Sequence, residues 1–326
     1  MVGFTPEKER NLTPIDYGIA GAVSGAVTRA LVQPLDVLKI RFQLQVEPVK
    51  RTVTDGKYHS VLQGFKTIYQ EEGASALWKG HVPAQILSVL YGVVQFTTFE
   101  YLTKHAYSSL PSQMKTEKAK PVYHFFCGGL AGSAATLVVQ PMDVLRTRLI
   151  AQGEPKTYTG TTQAIRLMYK EAGLRTFYKG LLPTLLQLFP YAGFQFGFYA
   201  LFNSMWKYTI PKPKVDKQVT GRHKTVISQA FVCGALSGLC AKAAIYPLDM
   251  LKKRLQVQGF EEARKSFGKV QHYNGLRHCV VAVIREEGVV GFYKGLAPSL
   301  LKAVSAAAII FTSYEITCDI LDASKS

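Results

Sequence analysis

Three segments concentrate the residues able to do chemistry: QPLDVLKIRFQ from Gln33, QPMDVLRTRL from Gln140 and YPLDMLKKRLQ from Tyr246. Each sets an acid two residues after a proline and a base three residues after the acid, matching Asp36 with Lys39, Asp143 with Arg146 and Asp249 with Lys252. On a helix that spacing puts acid and base on one face. No nucleophile with a base in sequence reach accompanies them, and the seven histidines form no short ligand motif; His81 and His124 read as helix-end residues. Cys127, Cys233, Cys240, Cys279 and Cys318 show neither CxxC nor zinc-like spacing and read as reduced residues of the core or of a lipid face. No catalytic residue, metal site or cofactor is expected, and an enzyme is not. What remains is reversible charge pairing: three acids and three bases make a neutral ring in which each carboxylate meets the base of the next helix, and such a ring acts as a gate.

A ring needs three helices that converge, and repetition supplies them. Pro34, Pro141 and Pro247 lie 107 and 106 residues apart. Before each stands a glycine pair, Gly21 and Gly25, Gly128 and Gly132, Gly234 and Gly238. Each pair is a GxxxG, a small-residue face that lets two membrane helices approach closely. Downstream, EEGASALWKG from Glu71, EAGLRTFYKG from Glu171 and EEGVVGFYKG from Glu286 recur, with Tyr58, Tyr158 and Tyr273 in a fixed register before them. One unit of about a hundred residues is written three times.

Each unit predicts a long helix, a loop, a short helix and a second long helix. In the first these run over about Ile15 to Gln45, Ser60 to Glu72 and His81 to Thr103. Val61, Phe65, Ile68 and Tyr69 form one stripe of the short helix, as on an amphipathic interfacial helix. A proline inside a long helix deletes a hydrogen bond and bends it, so three bent helices can meet at one end. The expected organisation is an N-terminal tail (1–14) and repeats over 15–110, 121–208 and 225–320, together one transport domain. Polar stretches from Ser108 and Thr209 read as linkers.

A formal net charge of +17 implies an anionic partner: nucleic acid, phospholipid headgroups or a small polyanion. A hydrophobic share of 48% with a mean hydropathy close to zero is low for helices bathed in lipid on every side, so polar faces must run along the spans. A basic nucleic-acid-binding protein would share the charge but would not need three proline-bearing GxxxG spans. Both sets of loops are basic, so the positive-inside rule gives no orientation. The first residues carry Glu7 and Glu9 and no apolar core, so neither a secretory signal nor an Arg-rich transit peptide is read, and Val2 excludes the myristoylation motif.

PxDxxKxR followed by EGxxxxWKG, three times over nearly the whole chain, resembles the mitochondrial carrier family. The resemblance implies an all-α membrane protein of six transmembrane helices in three pseudosymmetric repeats, with short matrix-side amphipathic helices. It further implies a multi-pass exchanger of the mitochondrial inner membrane, functional as a monomer, with one central site opened alternately to cytosol and matrix. The matrix gate would be Asp36, Lys39, Asp143, Arg146, Asp249 and Lys252, braced by Gln43 and Gln256; repeat two has Ile150 at that position. The family's cytosolic gate, an acid followed three residues on by a base, is poorly kept: Glu100 is followed by Thr103, Glu315 by Cys318, and repeat two has Ala200 with Asn203. Two acids without their bases imply a shallow cytosolic gate. Repeat two also has Ala172 where the others have Glu72 and Glu287. Helix starts after the WKG and YKG glycines attract phosphate, and in the family such ends bind cardiolipin.

A symmetric barrel cannot recognise an asymmetric solute, so the site is sought where equivalent positions differ. Five residues before the prolines stand Arg29, Thr136 and Lys242; seven after the WKG or YKG glycines stand Leu87, Gln187 and Lys302. A single Arg or Lys at mid-span costs about 2.5 to 3.5 kcal/mol on insertion scales. Three such cations, with no acid at equivalent positions, point to a cargo with two or more negative charges, and phosphate suits both Arg and Lys. Tyr91 and Tyr191, with Gln95 and Gln195 one turn on, can stack on and hydrogen-bond a heterocycle, where repeat three offers Ala306 and Ile310. The asymmetry predicts a diphosphate on one side and a flat ring on the other. Nucleotides and coenzyme A satisfy the same cations and stay open as cargo or counter-substrate. LKKRLQ from Leu251 stands where adenine nucleotide exchangers carry RRRMMM, which argues against ADP and ATP as main cargo. No EF-hand loop is read, so calcium regulation is not expected.

Overall fold

The computed structural model describes residues 12–47, 56–109, 120–209, 219–267 and 269–325; the N-terminal tail up to Asn11 and most of both linkers lie outside them. Within these residues the chain is helical, and three units follow one plan. The proline-bearing helices are α1 (Pro14–Leu44), α4 (Lys120–Ala151) and α7 (Val219–Gln256). Short helices follow, α2 (Val61–Glu72), α5 (Thr161–Ala172) and α8 (Leu276–Glu287), then a 3-10 turn. The second long helices are α3 (His81–Ser109), α6 (Leu181–Thr209) and α9 (Leu296–Ala323). Helix α1 starts where the sequence says it must: Pro14 takes the first turn, and Thr13 and Asp16 cap each other's backbone N–H groups.

Among the described residues, α3, α4, α7 and α9 are long and apolar enough to cross a membrane by composition alone. Helices α1 and α6 are of similar length but interrupt the apolar run, α1 with Arg29 and Gln33, α6 with Gln187, Tyr191 and Gln195. Arg29, Gln187, Tyr191 and Gln195 are among the residues predicted to meet the cargo, whereas Gln33 is buried and donates to the Lys79 carbonyl at 2.9 Å.

The six long helices close by pairing across repeats, α1 on α9, α3 on α4 and α6 on α7. The GxxxG pairs are not the general contact. A Cβ at Gly21, Gly25, Gly234 or Gly238 would meet nothing within 4 Å, and only in α4 do Gly128 and Gly132 lie near Phe99 and Tyr91. The buried stripe lies one residue earlier: Ala20, Ser24 and Thr28 in α1, Cys127, Ala131 and Ala135 in α4, Cys233, Ser237 and Ala241 in α7. Its spacing of four keeps small side chains on one face, which is what close helix packing requires.

At the proline end three apolar clusters form between long and short helices, the first taking in Ile150, Ala151 and Val257 and the second Phe260 from other repeats. In the first, Leu38, Phe42, Tyr58, Ile68 and Leu77 pack together; the others are centred on Leu145 and Met168 and on Met250 and Val283. The stripe predicted for α2 splits: Gly64 and Ile68 are buried, whereas Phe65 and Tyr69 are exposed. Gly64 explains the split, because Leu38 and Phe42 sit hard against it and leave no room for an aromatic ring.

Each repeat is then fastened to the next. Gly80, Gly180 and Gly295 adopt positive φ at the start of α3, α6 and α9. A Cβ there would lie 3.1, 2.9 and 2.8 Å from the carbonyl oxygens of Arg146, Lys252 and Lys39, each in the following repeat. The third repeat adds a segment after α7 that crosses the proline end. Arg264 donates to the Leu44 carbonyl at 2.9 Å, Lys269 N–H donates to Glu47 at 2.5 Å, and the Ala263 carbonyl accepts from Gly153 N–H at 3.2 Å. Phe260 stacks on Tyr158 with centroids 4.7 Å apart. Burial, and then the charge of Arg254, pull the Arg264 pKa down to about 10, which still leaves it cationic at neutral pH.

Gly295→Ala tests the interlocking. The left-handed conformation costs a β-carbon about 1–2 kcal/mol, and the contact with Lys39 adds to it. We expect thermal unfolding in detergent to show a loss of at least about 1 kcal/mol; unchanged unfolding would mean that the repeats are not held at this point.

Candidate functional site

Helices α1, α4 and α7, each with its proline inside the helix, bring the three acid and base pairs together, and all three close between repeats. Arg146 meets Asp36 at 2.5 Å, Lys252 meets Asp143 at 2.8 Å and Lys39 meets Asp249 at 2.6 Å. Gln256 donates to Asp143 at 2.7 Å and Gln43 to Asp249 at 3.1 Å. Ile150, in the place of the third glutamine, is buried in the first apolar cluster. Its role on Asp36 is taken by Lys302, which donates to that carboxylate at 2.5 Å.

The ring is not neutral, as the three pairs alone would make it. Lys253, buried, reaches Asp143 at 2.9 Å and also donates to Thr147 and Gln256. With Lys302, two cations join the three pairs, so three carboxylates face five bases. The signal for Lys253 was in the sequence: LKKR in repeat three aligns with LKIR and LRTR, placing it over Ile40 and Thr147.

Below the ring a second layer repeats three times. Arg41, Arg148 and Arg254 each bond the tyrosine and a glutamate of their own repeat and carbonyls at the end of the next proline-bearing helix. Arg41 takes Tyr58, Glu72 and the Ile150 carbonyl. Arg254 takes Tyr273, Glu287 and the carbonyls of Gln43 and Gln45. Arg148 takes Tyr158 and the carbonyls of Gln256 and Gln258, and because Ala172 offers no charge it turns to Glu171, one residue upstream. The substitute is wetter: the Glu171 side chain is 36% exposed, against 3% for Glu72. Lys79 and Lys294 join Glu72 and Glu287, whereas Lys179 donates to the Gln258 carbonyl. Burial pushes the Glu72 carboxyl up, but the bonds and charge of Arg41 and Lys79 outweigh it and hold the pKa below the ordinary value.

Above the ring lies a cavity of about 320 Å³. It brings together three of the predicted cargo residues, Gln187, Tyr191 and Lys242, with Lys39 and Asp249 of the gate and Tyr246. Lys242 donates to the Ser299 carbonyl at 2.9 Å, and Arg29, half-buried, makes no hydrogen bond or ion pair among the described residues. Leu87, Tyr91, Gln95, Gln195, Thr136, Arg29 and Lys302 do not line this cavity. Thr136 is buried and donates its hydroxyl to the Gly132 carbonyl at 2.8 Å, so it serves α4 rather than an open site.

The opposite end is tied differently. Glu100 is not without a base: Lys104, one turn along α3, meets it at 2.7 Å, both side chains exposed. That pair joins no neighbouring helix. Asp16 pairs with Lys325 and links the two ends of the chain. The five cysteines are unpaired, and among the described residues no cluster of His, Cys, Asp or Glu is arranged to hold a metal.

Six long helices in three repeats around a cationic cavity, shut at one end by exchangeable ion pairs, define a gated membrane carrier. The chain belongs to the mitochondrial carrier protein family, which it matches over residues 10–110, 117–209 and 223–324. It is 49% identical to the mitochondrial thiamine pyrophosphate carrier of Homo sapiens over 98% of this chain and 97% of the relative. It is 39% identical to mitochondrial thiamine diphosphate carrier 2 of Zea mays over 92% of each chain. It is 35% identical to mitochondrial thiamine pyrophosphate carrier 1 of Coccidioides immitis over 93% and 91%.

The glutamates of the second layer predict an unequal response. Glu72→Gln strips the partner from two buried cations, a change of the kind that costs about 3–5 kcal/mol. Glu171→Gln leaves Arg148 its tyrosine and carbonyls, and we expect about 1 kcal/mol. Chemical unfolding of both variants in detergent checks the order, and equal losses would contradict it.

Proposed function

We propose that this protein is an exchanger of the mitochondrial inner membrane that imports thiamine pyrophosphate into the matrix by alternating access, against nucleotides or thiamine phosphates. The observation that carries the reading is the cationic excess beside the cavity. The ring already holds two more bases than carboxylates, and Arg29 and Lys242 add two cations without an ion pair among the described residues. A diphosphate supplies the missing negative charge, and in a low-dielectric cleft such charge pairing is strong. Tyr191 and Gln187, which also line the cavity, suit the uncharged ring of the cargo, its aminopyrimidine. The relatives' names support the same cargo.

In this reading Arg29, Lys242 and Lys302 hold the diphosphate, and Tyr91, Gln95, Tyr191 and Gln195 hold the aminopyrimidine, with Leu87 as an apolar wall. Lys302 reaches the cargo by leaving Asp36. No bond of the cargo is made or broken, so no cofactor is involved. The unit of transport is one chain, with cardiolipin at the starts of α3, α6 and α9. The self-contained pair of Glu100 with Lys104 makes the cytosolic gate the weaker of the two.

The test is uptake of labelled thiamine pyrophosphate into liposomes holding the purified protein, with unlabelled thiamine pyrophosphate, ADP or coenzyme A inside. Uptake that needs an internal substrate is the expected result. Arg29→Ala should lower the uptake rate at least about tenfold, since one phosphate contact to a charged group is worth about 1.5–3 kcal/mol, while thermal unfolding stays within about 0.5 kcal/mol. Exchange of ADP or coenzyme A with thiamine pyrophosphate ignored would keep the carrier and overturn the cargo.

A further inference from the structure

We infer that Lys39 is a ligand of the cargo as well as a gate residue, so that the Lys39 and Asp249 ion pair is the first of the ring to open when cargo binds. This rests on the proposed transport of a diphosphate-bearing solute and goes beyond it by naming where that solute meets the gate.

The three joints are unequally held. Asp36 has two cations, Arg146 and Lys302. Asp143 has Lys252, Lys253 and the amide of Gln256. Asp249 has one cation, Lys39, and the amide of Gln43 at 3.1 Å. The singly held pair is also the most exposed. The Lys39 and Asp249 side chains are 15% and 21% accessible, against 10% and 5% for Arg146 and Asp36 and 12% and 10% for Lys252 and Asp143. Water screens a pair most where it reaches it.

The wetter joint is also the one that borders the cavity. Lys39 and Asp249 line it together with Lys242, Gln187 and Tyr191. The Lys39 ammonium lies 5.9 Å from the centroid of the Tyr246 ring, which also lines the cavity. A diphosphate drawn in by Lys242 therefore arrives beside Lys39. It offers more charge and more acceptor oxygens than one carboxylate, and a lysine ammonium is free to reorient toward it. Once Lys39 turns to the phosphate, Asp249 keeps only the Gln43 amide. The Lys39 and Asp249 pair then opens, while Arg146 stays on Asp36 and Lys252 with Lys253 on Asp143.

Two substitutions break the same ion pair and separate the two roles. Equilibrium binding of labelled thiamine pyrophosphate is measured on purified wild type, Lys39→Gln, Lys39→Arg and Asp249→Asn, with thermal unfolding of each as a check on folding. A gate residue that touches no cargo makes Lys39→Gln and Asp249→Asn shift the affinity in the same direction by similar factors, and that result would overturn the inference. A cargo ligand makes them diverge: Lys39→Gln weakens binding about tenfold or more, Asp249→Asn binds as well as wild type or tighter because the lysine is released, and Lys39→Arg stays within about threefold. If wild type binds ADP but not thiamine pyrophosphate, the proposed cargo falls and the four proteins are compared with ADP, whose diphosphate makes the same demand on Lys39. If wild type binds neither, the inference falls with the cargo.

Discussion

A carboxylate taken out of water needs a cation close at hand, because the loss of hydration amounts to several kcal/mol per ion and only a well-placed partner offsets it. Asp36, Asp143 and Asp249 each find that partner in another repeat. No repeat can satisfy its own acid, so the three close together or not at all. The arginine layer beneath applies the same rule to the backbone. The last carbonyls of a helix have no internal acceptor role to fill, and Arg41, Arg148 and Arg254 donate to those of the next proline-bearing helix. Charge and capping run around the molecule in the same direction, and the positive-φ glycines follow them.

Ion pairs suit a door better than apolar packing does. A core cluster loses contact energy gradually as it is pulled apart and exposes surface that water rejects, whereas separated charges regain hydration. The apolar clusters at this end are centred between the long and short helices of one repeat, with Ile150, Ala151, Val257 and Phe260 inserted from other repeats, while the ring of acids joins one repeat to another. At the other end the ties include the Glu100 and Lys104 pair within α3, the Asp16 and Lys325 pair between α1 and the chain end, and the Gln229 amide donating to Asn203 between α7 and α6. The proline end is the one closed by ion pairs between all three repeats.

The triplication, the six long helices, the gate pairs and both bracing glutamines were legible because each rests on identities repeated at a fixed offset. What a repeat hides is its exceptions. Lys253 stands between two motif residues in one repeat only, and Lys302 was read as a cargo cation although its amine reaches Asp36. Both involve a long flexible side chain whose partner lies in another repeat, a distance that spacing along the chain cannot measure. The helix packing stripe was misplaced by one residue for a related reason. Glycine suggests close approach, but alanine, serine and cysteine permit it equally, and only the path of α1 and α7 decides which face is buried. Of the cargo positions, Lys242, Gln187 and Tyr191 come together in one cavity, while Thr136 is turned to its own helix by a bond that any buried threonine can make.

Threefold closure and asymmetric recognition pull in opposite directions. A perfectly symmetric ring would hold its three joints equally, and a solute binding off-axis would have to break all of them against equal resistance. Here the departures from symmetry all fall on the supports of the ring. Ile150 replaces a brace, Lys302 replaces Ile150, Lys253 doubles one joint, and the remaining joint is left with a single cation at the edge of the cavity. Ala172 shifts the second-repeat glutamate to a wetter position without opening the arginine layer. The same substitutions that make the bundle asymmetric thus also grade the strength of its closure, and the carboxylate held by a single cation is the one that borders the cavity.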